Sequence, residues 1–160
     1  MSLRTALWYQ GILKSEFRHD VGLLFQAGGW HEPGTALSSI LHEAFWDAKI
    51  AFAKPDFAPK SWVSPEAGME PTYDERSGLL RFWAEWDLHG PNRIALLNLQ
   101  NYILPALTNT LISCHDWVEP LNGGEDIITD ASAHFRKRMN VMNAMKADID
   151  FLSFISQYYR

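Results

Sequence analysis

Tyr73-Asp74-Glu75-Arg76-Ser77-Gly78-Leu79-Leu80-Arg81-Phe82-Trp83-Ala84-Glu85-Trp86-Asp87-Leu88 is the stretch whose reading decides the fold. Leu80, Phe82, Ala84, Trp86 and Leu88 alternate with Arg81, Trp83, Glu85 and Asp87, the period of a strand with one face buried and the other wet. Ser77-Gly78 supplies turn chemistry just ahead of it, because tight hairpin turns need backbone conformations that glycine enters without a steric penalty. The pattern predicts an antiparallel hairpin over about residues 72–88.

Outward from the hairpin, the other long segments read as helix. Upstream, Pro55, Pro59, Pro65 and Pro71 with Gly68 forbid regular helix over residues 55–71 and predict a long loop that holds Phe57 and Trp62. Before that loop, Leu37, Ile40, Leu41, Ala44, Phe45 and Ala48 form one apolar stripe, which predicts a helix over 35–53 closed by Lys54-Pro55. Residues 2–17 place Leu3, Ala6, Leu7, Ile12, Leu13 and Phe17 at loosely helical spacing, and residues 21–25 suit either an extension of that helix or a short buried strand. Downstream, Leu96, Leu99, Ile103, Leu107, Leu111, Cys114 and Val118 recur at helical steps, with Pro105 placed to kink or split the helix. From residue 125 to residue 160 there is neither Gly nor Pro, and Phe135, Met139, Met142, Ile149, Leu152 and Ile155 repeat at helical spacing. That predicts one long C-terminal helix with Thr129 or Asp130 as its cap. The expected class is α+β: a single globular domain over residues 1–160, mostly helical, with a small antiparallel hairpin and a long C-terminal helix.

At 160 residues the chain suits one domain that buries roughly two-thirds of its unfolded surface. Its formal charge is −5. The excess is local: residues 55–90 hold seven acidic side chains (Asp56, Glu66, Glu70, Asp74, Glu75, Glu85, Asp87) against three basic ones (Lys60, Arg76, Arg81). An acidic balance disfavours nucleic acid, which needs a basic footprint, and favours a protein partner with a basic surface. Cys114 is the only cysteine, so neither an intrachain disulfide nor a cysteine zinc site is available. The N-terminal segment is interrupted by Tyr9, Gln10 and Gly11 and does not read as a signal peptide. No run approaches the ~20 apolar residues of a membrane span, so a cytoplasmic protein is expected.

No Gly-rich phosphate loop, Gly-x-Ser-x-Gly elbow or His-Glu-x-x-His motif is present. His134-Phe135-Arg136-Lys137-Arg138 is a basic cluster that suits phosphate, an acidic partner, or simply the solvated face of a helix. Met139, Met142 and Met145 form a row that suits core better than an adaptable binding surface. Trp83 falls on the polar side of the hairpin alternation, in the most acidic part of the chain, where a large ring suits either a partner contact or a second covering layer.

His89, ahead of Asn92-Arg93-Ile94-Ala95, and the later pair His115-Asp116 resemble the first half of the HD-domain phosphohydrolase pattern, a His opening one helix and an adjacent His-Asp on the next. What the resemblance implies is a divalent ion that activates water, held by His89, His115 and Asp116, with Asp148 or Asp150 as the distal ligand. It covers residues 89–116 only, and Trp117-Val118-Glu119-Pro120 replaces the small continuation usual in that family.

The reading preferred from sequence is a small acidic, non-enzymatic protein-binding module of inhibitor, immunity, chaperone or phage-modulator type. Its contact surface is expected at Trp62, Asp74, Glu75, Trp83 and Glu85, with no cofactor, no catalytic residue and no membrane. The alternative is the metal-dependent phosphohydrolase built on His89, His115 and Asp116.

Overall fold

The computed structural model describes residues 4–26, 37, 40, 72–87, 97–118, 124 and 127–158. The helix expected over residues 2–17 is instead a ten-residue strand, β1 (Arg4–Leu13). Among the described residues β1 is the middle of a five-stranded antiparallel sheet. Leu7, Tyr9 and Leu13 enter the main core, while Ala6 and Trp8 form a second cluster with Trp117 on the opposite face. A strand covered on both faces has no wet side, so its sequence loses the alternation that marks a surface strand. Leu-Trp-Tyr at positions 7 to 9 then fits helix and strand templates equally well.

A 3-10 turn, Ser15–Phe17, leads from β1 into α1 (Arg18–Gln26), so residues 21–25 are helical. The hairpin stands where the alternation puts it, as β2 (Thr72–Asp74) and β3 (Leu79–Asp87). It is not an accessory to a helical body, however, because β3 pairs along β1 from Ile12↔Leu79 to Arg4↔Asp87. Leu37 and Ile40 are buried in the main core; the remainder of the helix expected over 35–53, and the loop expected over 55–71, lie outside the described residues.

The helix expected through Leu96 to Val118 divides in two. A π-helical turn (Leu99–Ile103) runs into α2 (Leu104–Leu107), and β4 (Thr108–Val118) follows at once. Pro105 lies in the first turn of α2, where a missing N–H is tolerated, so it opens a short helix instead of kinking a long one. β4 lies beside β1, and the register slips between Gln10 and Gly11 and again between Ile12 and Leu13. Each slip adds one residue to β4, at Ile112 and at Asn109. As a result Leu111 and Cys114 reach the main core and Thr108, three residues before Leu111, is buried against Tyr9, the three standing opposite Gly11, Tyr9 and Leu13. Two bulges thus give a strand the three-residue spacing of a helix.

The single C-terminal helix is also corrected. β5 (Ile127–Asp130) pairs with the end of β4 and completes the sheet order β2-β3-β1-β4-β5. Then come α3 (Ser132–Ala144) and α4 (Ile149–Tyr158). α3 ends without glycine or proline: Lys146 N–H donates to Asn143 O and Ala147 N–H to Met142 O, both at 3.1 Å, with Lys146 in the left-handed region at φ 52°. This is the bonding of a Schellman stop, usually built on glycine. Asp148 Oδ1 accepts the Phe151 N–H at 2.9 Å and starts α4.

β5 covers β4 only from His115 to Val118, and α3 takes over the rest of that edge. Ala131 N–H donates to Cys114 O (2.8 Å), Cys114 N–H donates to Ser132 Oγ (3.1 Å), and Arg136 donates to Leu111 O (3.2 Å). The strand edge is thereby closed by a helix, one of the ways a sheet avoids pairing with another chain. The core beneath is aromatic: the Tyr9 ring packs in tilted geometry against Phe82 at 5.4 Å and Phe135 at 5.7 Å between centroids. Its hydroxyl lies 2.7 Å from Thr108 Oγ1, which in turn donates to Leu104 O, and burial pushes the Tyr9 hydroxyl pKa up.

Candidate functional site

The turn between β2 and β3 brings Asp74 and Glu75 together, and its geometry follows from local bonds. Gly78 N–H donates to Asp74 O at 2.7 Å, and Gly78 itself sits at φ 78°, which favours glycine. Asp74 Oδ1 accepts the Arg76 N–H (3.1 Å), and its Oδ2 accepts the Ser77 hydroxyl (2.7 Å). The Ser77 and Arg76 bonds hold the Asp74 carboxyl below its ordinary range. Asp74 is therefore the internal brace of the turn as well as an exposed charge.

α1 fixes the turn from outside. Arg18 donates from Nε to Leu13 O (3.1 Å) and from its guanidinium to Arg76 O (3.2 Å). A side chain on Gly78 would collide with that guanidinium, since a Cβ there would come within 2.4 Å of Arg18 Nε. Tyr73 donates its hydroxyl to Arg18 O, and burial with the nearby Glu75 charge pushes its pKa up to about 12. Glu75 Oε1 accepts from His19 Nδ1 at 3.1 Å, with both groups largely exposed. The outcome is an exposed acidic turn whose backbone is held by three bonds, Gly78 N–H to Asp74 O, Arg76 N–H to Asp74 Oδ1 and Arg18 to Arg76 O.

Of the other residues expected at the contact, Trp62 lies outside the described residues. Trp83 stands opposite Trp8 and Glu85 opposite Ala6 in the β1–β3 ladder, and the side chains of both lie outside the described residues. Sequence reasoning missed Arg18, His19 and Tyr73. The one available signal was the Arg18-His19 pair, whose charge complements Glu75, but nothing in the sequence placed the two segments side by side.

The His115-Asp116 pair lies on β4, not at the end of a helix. Adjacent strand residues point to opposite faces. His115 stands opposite Trp8 and Asp116 opposite Leu7. Asp116 accepts 3.0 Å bonds from Gln100 Nε2 on both oxygens, and burial raises its pKa against the pull of Gln100, His134 and His115. His89 lies outside the described residues. Among the described residues no three His, Cys, Asp or Glu side chains gather as a metal site.

The basic cluster on α3 is engaged within the fold. Arg138 donates to Asn101 O (2.8 Å) and lies 4.9 Å from the Tyr102 ring centroid, His134 Nε2 lies 2.8 Å from Asn101 Oδ1, and Arg136 closes the β4 edge. Met139 and Met142 are core, and Met145 is exposed. Cys114 is buried, and burial raises its thiol pKa, which suits an inert core cysteine. Among the described residues no helix is long and apolar enough to cross a membrane. Compared with family models, curated proteins and solved structures, the chain matches none.

Proposed function

We propose that the protein is a small, non-enzymatic binding module that docks a protein partner with a basic surface through the acidic turn at residues 74–77. The observation that carries this reading is the bracing of that turn by Arg18, His19 and Tyr73. A loop already held in its bound shape loses little freedom on association, so more of the contact energy appears as affinity. Glu75 is the charge a partner meets. An incoming Lys or Arg would take the place of His19 on Glu75, an exchange at low cost because an exposed pair of this kind is weak. Trp62, Trp83 and Glu85 belong to the same proposal as the source of further contacts, and the module would act by occluding or scaffolding its partner.

The test is charge reversal at Glu75 with Asp74 left alone, because removing Asp74 would also undo the turn. With the partner isolated by photo-crosslinking from position 76, Glu75→Lys should slow association, and the deficit should shrink as salt is raised. Trp83→Ala should speed dissociation. An unchanged association rate at low salt for Glu75→Lys would refute the assignment of the turn.

A further inference from the structure

A cleft of about 320 Å³ opens between the turn after β1 and the elbow that joins α3 to α4. Its volume is at the lower end of small-molecule sites, about 300–1,000 Å³. The floor is apolar, made by Phe17 and Met142, both buried, with Ala147 and Ile149 beside them. The rim is charged with both signs: Lys14 and Lys146 supply ammonium groups, Glu16 and Asp148 supply carboxylates. Among the described residues no ion pair joins these four groups; Lys14 Nζ donates instead to Asn143 Oδ1 at 2.9 Å. The elbow itself is fixed by the backbone bonds of Lys146 and Ala147 and by the Asp148 cap, so Lys146 and Asp148 are carried on a braced junction between two helices.

Opposite charges placed around one apolar floor without meeting each other suit a ligand that carries both charges itself. We propose that this cleft binds a small zwitterion with an apolar body, of the class of a free α-amino acid with an aliphatic or aromatic side chain. Lys14 is engaged with Asn143 and Asp148 with the Phe151 N–H, so the carboxylate would take the Lys146 ammonium, the α-ammonium would take the Glu16 carboxylate, and the side chain would cover Phe17 and Met142. The cleft shares no lining residue with the acidic turn, and its ligand does not rest on the binding function proposed above.

The experiment is isothermal titration calorimetry on the whole chain with L-leucine, L-methionine and L-phenylalanine, set against N-acetyl-L-phenylalanine, which lacks the ammonium, and L-phenylalaninamide, which lacks the carboxylate. Saturable binding of at least one free amino acid is expected, with each blocked form weaker by about tenfold or more, the loss of one charge-assisted hydrogen bond. Two variants locate the site: Glu16→Gln and Lys146→Asn, the second chosen because asparagine tolerates the left-handed backbone. Each should weaken binding by about tenfold while the ligand-free melting curve stays cooperative. No saturable heat from any of the three amino acids at millimolar concentration would overturn the proposal. So would blocked forms that bind as well as the free ones, or binding untouched by both substitutions.

Discussion

Replacing Lys146 with glycine should stabilise the protein, although it deletes a charge and a long side chain. Lys146 is the left-handed residue of the stop between α3 and α4, at φ 52°, and its N–H closes the helix on Asn143 O. An L side chain in that conformation costs about 1–2 kcal/mol, which glycine avoids. Glycine adds freedom to the unfolded chain and gives back about 0.4–1 kcal/mol. Losing the cation at the helix C-terminus takes back about 0.3 kcal/mol more, so the net expectation is a gain of about 0.5 kcal/mol, or about 1–2 °C in melting temperature for a chain of this length. Urea denaturation should show a higher midpoint with an unchanged slope, since the same surface is exposed on unfolding. Lys146→Ala is the control: it keeps the strain and loses a cation at a helix C-terminus, so it should be neutral or slightly destabilising. A Lys146→Gly protein less stable than wild type, or a Lys146→Ala protein that gains as much, would refute the argument from backbone conformation.

Two further outcomes are expected. Ser132→Ala removes the hydroxyl that accepts the Cys114 N–H and leaves a buried donor without its acceptor, for a loss of about 1–3 kcal/mol; Ser132→Thr should recover most of it, and amide exchange at Cys114 should speed up only in the alanine variant. Asp116 has a raised pKa, so the folded state holds its proton more tightly than the unfolded state, and stability falls as pH rises from the ordinary value of 3.8 through the folded value. Asp116→Asn should therefore flatten that fall and raise the melting temperature at neutral pH; a steeper fall in the variant would contradict the burial argument.

The hairpin at 72–88 was legible because part of its surface is wet and its turn carries a glycine that the turn requires. The rest of the sheet was hidden for separate physical reasons. β1 is covered on both faces and keeps no alternation. β4 carries two bulges that bring Thr108, Leu111 and Cys114 to one side at the spacing of a helix. The elbow at Lys146 uses a Schellman stop without glycine, and Asp148 ahead of Ile149-Asp150-Phe151 was the cap that marked a new helix. At the candidate site, Asp74 and Glu75 could be read from local acidity, but Arg18 and Tyr73 could not, because their role arises from the pairing of β1 with β3, and no short-range pattern encodes that.

The order of pairing along the chain bears on how the protein must be made. β1 is synthesised first among the described strands, yet its neighbours in the sheet are β3, where Arg4 meets Asp87, and β4, where Thr5 meets Val118. Until residue 118 has left the ribosome, a strand apolar on both sides has no complete sheet to enter, and the helix that seals the β4 edge comes later still. Folding therefore waits for distant contacts, which slows it and leaves a sticky segment in the open meanwhile. Nascent chains arrested before Thr108 should bind chaperones through residues 4–13, and release should follow once α3 is complete.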